Sequence, residues 1–152
     1  MKGRLVLLVV GLILAFAPSA GAMPRHVTVK EARRLVLVQI RSWKNGAEHL
    51  PGFEIDHESD VHHLGYIFFS IMWQGACIEC GSNIGHFAVE QRDADVVDPV
   101  LCEEVTNTAL RLAQRNLRRA MGLGREAYLR FRSSAKPICG NPIELDDSSS
   151  PK

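Results

Sequence analysis

Apolar and polar positions follow two different periods along this chain. In "TVKEARRLVLVQIRSWKNG", Ala32, Leu35, Val36, Ile40 and Trp43 recur at three- and four-residue steps, while Lys30, Arg33, Arg34, Arg41 and Lys44 fall between them. That spacing places the apolar set on one face of a helix. Thr28 and Glu31 have the spacing of a capping box, and Asn45-Gly46 supplies a stop. The period then shortens. "HLGYIFFSIMWQ" is uniformly apolar, aromatic and β-branched, which predicts a central strand with Tyr66, Phe68, Ser70 and Met72 on one side and Ile67, Phe69, Ile71 and Trp73 on the other. "IGHFAVEQ" and "DVVDP" predict two further strands joined by the polar turn "RDAD", and "PGFEID" a short edge strand. The links are too short for parallel crossovers, so the sheet is expected to be antiparallel.

A second long helix is expected from Thr106 or Thr108, as cap, to Gly122, with Leu110, Ala113, Leu117, Ala120 and Met121 on its buried face. "EAYLRFRS" fits a helix or a strand. The polar ending "GNPIELDDSSSPK", residues 140–152, is expected to be disordered. Together these elements predict an α+β domain over residues 23–139: an N-terminal helix, a three- or four-stranded antiparallel sheet, and a second long helix packed on the same sheet face.

The first 22 residues read differently. Lys2 and Arg4 precede the apolar run Leu5 to Ala17, and "PSAGA" closes it, with Ala20 and Ala22 in the A-x-A pattern of a secretory signal peptide. As a helix the 13-residue run would rise only about 20 Å, short of the roughly 30 Å hydrocarbon core. Cleavage is therefore expected after Ala22. No cysteine lies near that point to carry a lipid anchor, so the mature chain is expected to be secreted or periplasmic with no transmembrane segment. Removing Lys2 and Arg4 leaves 16 basic residues against 17 acidic ones, a balance that argues against nucleic-acid binding. The remaining 130 residues suit one domain with a real core.

The opening helix "VTVKEARRLVL" and the hairpin "GHFAVEQRDADVVD", about half of the mature chain, resemble small bacterial extracytoplasmic PepSY-like modules and cystatin- or NTF2-like immunity proteins. The resemblance implies binding or inhibition of a protein partner rather than catalysis. It transfers no functional residue.

Four cysteines in an exported chain point to disulfides, with three connectivities open. Cys102 with Cys139 is preferred, because it would tie the C-terminal segment to the entry of the second helix, worth roughly 4 kcal/mol by loop closure. Cys77 with Cys80, in "GACIECGSNIGH", would close a far shorter loop, worth roughly 2 kcal/mol. Thioredoxin-like chemistry needs such a C-x-x-C at a helix N-terminus, and here a strand follows. A zinc site is the alternative use of these thiols: "DHESDVHH" supplies His57, His62 and His63, and His86 follows the cysteine loop, so Cys77, Cys80 and two histidines could make a tetrahedral set. Against it stand the single spaced cysteine pair and the near miss of "HESDVH" to H-E-x-x-H, in which Val61 occupies the ligand position.

No cofactor is expected, and neither is an enzyme. G-x-S-x-G is absent, "GLGREA" follows a helix rather than a strand, and Cys80 with His86 lacks a third orienting group. What remains is the arginine-rich second helix. Arg111, Arg115, Arg118 and Arg119 are either a solvated face or a docking surface for an acidic protein or an anionic envelope component. The expected function is a small binding protein, an immunity protein or enzyme inhibitor acting by occlusion. The alternatives are a metal- or thiol-dependent protein and a passive envelope component.

Overall fold

The computed structural model describes residues 24–44, 46–59, 65–74 and 82–134. The expected signal peptide and the polar tail from residue 140 lie outside the described residues. Helix α1 spans Val29–Ser42, and its start forms as the sequence predicts. Thr28 accepts the Glu31 backbone N–H, and the Glu31 carboxylate reaches back to the Thr28 N–H at 3.0 Å. Arg25 adds two hydrogen bonds to the same carboxylate, and together with the Thr28 donors it holds Glu31 down at about 2. A short 3-10 turn, Ala47–His49, leads to the tight turn before the sheet. There Gly52 has φ +64°, and a side-chain carbon at this position would sit 2.6 Å from Gln74. Pro51-Gly52 is therefore a sequence-encoded turn whose geometry excludes other residues.

Five strands form a single antiparallel meander in the order β1 (Glu54–His57), β2 (Tyr66–Trp73), β3 (Ser82–Glu90), β4 (Val96–Asp98) and β5 (Glu103–Glu104). Side-chain alternation divides the sheet into two faces. Ile55, Ile67, Phe69, Ile71, Phe87, Val89 and Val96 pack beneath Ala32, Leu35, Val36 and Ile40 of α1. Phe69 lies at the centre, paired with His57 on one side and Phe87 on the other, and is wholly buried. The opposite face carries a smaller cluster of Phe68 and Ala88 with Tyr66 and Val97. A register shift between Ile71 and Met72 breaks the alternation near the end of β2.

Helix α2 spans Thr108–Ala120. Its cap is Asn107, neither of the two threonines expected. The reason is bonding capacity: the Asn107 oxygen accepts the Leu110 N–H at 2.8 Å while its amide nitrogen donates to Gln39 and Ser42 of α1. A hydroxyl lacks the span to join both helices in this way. Leu110, Gln114 and Met121 are buried, and Ala113 and Leu117 pack against the core, whereas Ala120, expected among them, is exposed. The helix ends at Gly122, whose φ of +79° lets the following N–H groups of Gly122 and Leu123 return to the Arg119 and Arg118 carbonyls. The segment left open by sequence is helix α3, Arg125–Ser134.

The α+β arrangement is thus the one expected, with one more strand and one more helix. Replacing the buried centre tests which residues hold it. Phe69→Ala should lower the unfolding free energy by about 3–5 kcal/mol, read from urea unfolding curves. A loss below about 1 kcal/mol would show that the core is organised around another residue.

Candidate functional site

The β3–β4 turn and the two C-terminal helices build the most charged part of the described chain. Burial drives the arrangement. Asp93 is 1% exposed and Ala94 fully buried, so the turn's polar groups must find protein partners. The Asp93 carboxylate accepts the Asp95 N–H at 2.9 Å, and Ala94 adopts φ +64° to close the turn. Helix α2 then satisfies the turn's carbonyls: Gln114 donates to Ala94 at 3.1 Å and Arg118 Nε to Asp93 at 2.6 Å. A terminal nitrogen of Arg118 also bonds the Asp95 carboxylate, and its guanidinium lies 3.8 Å from the centre of the Tyr128 ring. Tyr128 in turn donates to Asp95 at 3.2 Å, and Arg132 links the Tyr128 hydroxyl to Glu104 of β5.

This network sorts the four arginines singled out in the sequence. Arg118 turns inward and braces the fold, with a side chain only 11% exposed. Arg111, Arg115 and Arg119 point outward, at successive four-residue steps along α2. Among the described residues none of the three has an acidic partner within ion-pair distance. With Arg125, Tyr128, Leu123 and Leu129 they line a groove of about 500 Å³ between α2 and α3. Leu129 falls in "EAYLRFRS", which carries no decisive period, and Arg125 in the preceding "GLGREA", so the sequence alone does not assign either to this groove.

A second polar cluster lies on the sheet face opposite α1. Ser70 of β2 donates to Glu58, His86 Nδ1 lies 3.1 Å from the same carboxylate oxygen, and Asn83 Nδ2 lies 2.8 Å from His86 Nε2. An amide nitrogen only donates, so Nε2 accepts and Nδ1 carries the hydrogen given to Glu58. Both ring nitrogens are thereby engaged, and neither is available as a base toward Ser70 although its oxygen is 3.3 Å away. The Ser–His–Glu set is closed on itself rather than arranged for acyl transfer.

The expected metal candidates separate. His57 shares the core side of the sheet with Phe69, its ring centre 5.7 Å from that ring, whereas His86 lies on the other face beside Ser70. His62, His63, Cys77 and Cys80 lie outside the described residues, and among the described residues no group of three or more His, Cys, Asp or Glu side chains could hold a metal ion. Cys102 sits in the β4–β5 turn with φ +61° and carries no free thiol. Cys139, its expected partner, lies outside the described residues. No helix among the described residues is long and apolar enough to cross a membrane.

No family model matches the chain, which leaves the PepSY-like and cystatin- or NTF2-like resemblance without a matching family, and no curated protein matches it in sequence. A solved structure is similar to it in fold. One chain of a type VI secretion system effector–immunity complex from Pseudomonas protegens has a similar fold, with a TM-score of 0.57 and 21% identity over 71% of this chain and 88% of that one. The likeness is one of fold.

Two outcomes follow from the buried network. Arg118→Ala should cost about 3–5 kcal/mol in urea unfolding, because it strands Asp95, whereas Arg115→Ala should stay within about 0.5 kcal/mol; equal costs would contradict the division into brace and surface. The second concerns pH. Burial, reinforced by the neighbouring Asp95 carboxylate, pushes Asp93 up to about 7. The folded state then holds a proton that the unfolded state releases near 4, so this group's contribution falls as pH rises from about 4 to 7 and is lost above that. Glu31 does not interfere, since its contribution is present above about 4.5 and fades only towards 2. Asp93→Asn keeps the acceptor for the Asp95 N–H, and should reduce the fall of Tm between pH 4 and 7 and raise Tm above pH 7, the slope that remains coming from Asp95, whose pKa burial also raises. An unchanged slope would remove Asp93 as its source.

Proposed function

We propose that this chain is a small secreted or periplasmic binding protein of the immunity type, which holds a protein partner and blocks it by steric and electrostatic occlusion without catalysis of its own. The observation that carries this reading is the row of outward arginines on α2, charged side chains without acidic partners among the described residues. Guanidinium groups on a rigid helix are well suited to carboxylates, because they bind in two-toothed pairs with little loss of side-chain freedom.

Four further features support it. The fold likeness is to a chain from an effector–immunity complex. The N-terminal 22 residues have the charge and apolar pattern of an export signal. Cys102 carries no free thiol, in keeping with an oxidising compartment and a bridge to Cys139 that pins the segment after α3. The described part of the molecule offers a polar cluster in which every histidine nitrogen is already bonded, an arrangement suited to holding strands together.

The test is partner capture followed by reconstitution. The tagged full chain, expressed with its first 22 residues in its own host, should be recovered from the exported fraction with a protein whose purified activity it abolishes at one-to-one stoichiometry. Arg111→Glu with Arg115→Glu should weaken that complex by at least about tenfold, or roughly 1.4 kcal/mol. A purified partner that binds yet keeps its full activity would refute occlusion.

A further inference from the structure

The α2–α3 groove has a chemistry more specific than a positive surface. Six arginines line it against one glutamate, Glu104, which Arg132 already engages. Arg118 is neutralised by Asp95, so the groove's surplus charge resides in Arg111, Arg115, Arg119 and Arg125. The helix bears this surplus at a disadvantage. Like charges four residues apart repel, and α2 has no acidic residue in its first turn to offset Arg111 against the helix dipole. A merely solvated face has no need for such crowding.

Resting on the binding-protein reading, we propose that this groove receives an acidic peptide segment of the partner, with carboxylates along Arg111, Arg115 and Arg119 and an apolar side chain against Leu129. Spacing supports the match. Side chains four apart on a helix are about 5–6 Å from one another, and alternate residues of an extended strand, at about 6.7 Å, come within about 1 Å of that step, which the long arginine side chains span. Shape favours a peptide over a membrane surface: the cavity is concave, and its apolar residues form wall and floor, Leu123 being 3% exposed and Leu129 52%. A flat lipid surface would leave that floor unfilled. The floor is also rigid, because Arg118, Asp95 and Tyr128 hold α2 and α3 to the same turn, so little ordering is required on binding.

The full chain should bind a fluorescein-labelled peptide of alternating Glu and Ser with one central Leu, measured by fluorescence polarisation, and bind it more weakly as salt rises. Arg115→Glu with Arg119→Glu should weaken binding at least about tenfold, and Leu129→Asp should weaken it as well. Arg33→Glu with Arg34→Glu, on the exposed side of α1, should leave it unchanged. Equal losses from the α1 pair would overturn the proposal, as would binding to phosphatidylglycerol vesicles with none to the peptide. So would peptide binding that emerges only when Glu144, Asp146 and Asp147 are changed to their amides, since the chain's own tail would then be the occupant. The two readings separate cleanly. A partner that is captured and blocked equally well by the Arg115→Glu, Arg119→Glu variant overturns the groove and the arginine row as the contact, while one-to-one inhibition by the chain keeps the coarser reading of an occluding binding protein.

Discussion

The guanidinium of Arg118 joins three elements of the molecule, the β3–β4 turn more than twenty residues away and the two C-terminal helices. It lies between the β3–β4 turn and α3 while belonging to α2, and its two hydrogen bonds and one planar face are each taken by a different group: the Asp93 carbonyl, the Asp95 carboxylate and the Tyr128 ring. A buried ion pair is costly to desolvate, and its net stabilisation over an apolar substitute is small. Its effect here is specificity. Only one orientation of α2 satisfies the turn's carbonyls through Gln114 and Arg118 together. The same orientation sets α3, because Tyr128 needs Asp95 and Arg132 needs Glu104 of the last strand.

Fixing α2 about its axis has a second consequence. Arg118 and Arg119 are neighbours in sequence, but one helical step of about 100° separates them. With Arg118 facing the turn, Arg119 is rotated about 100° and Arg115 about 60° towards solvent and the mouth of the groove, while Arg111 lies on nearly the same side as Arg118 but two turns nearer the start of the helix, where it is exposed. The structural arginine therefore aims the outward ones. Asp93 shapes the same turn, its carboxylate accepting the Asp95 N–H while burial beside that second carboxylate raises its pKa.

The fold was largely legible in the sequence because its largest elements have strong periods. The capping box at Thr28 and Glu31, the two faces of β2 and the glycine stop after Met121 all follow from local chemistry. Less was legible where local patterns tie. Thr106, Asn107 and Thr108 are all good caps, and the choice of Asn107 depends on Gln39 and Ser42, more than sixty residues away. β5 has two residues, Glu103 and Glu104, too few to show alternation, and "EAYLRFRS" becomes a helix through Tyr128 and its distant partner Asp95.

The candidate site shows the same boundary more sharply. Sequence identified the arginine stripe by composition but had no means of separating Arg118 from its neighbours, because the separating residue, Asp95, lies in what reads as a plain polar turn. "RDAD" looks like solvated loop chemistry, yet Asp93, Ala94 and Asp95 are all buried. A buried acidic turn needs a cation, and an arginine-rich helix packed against it supplies one while retaining others. Composition had posed a choice between a solvated arginine face and a docking surface. The geometry divides the arginines differently, into one that completes the fold and several whose charge the described fold does not use.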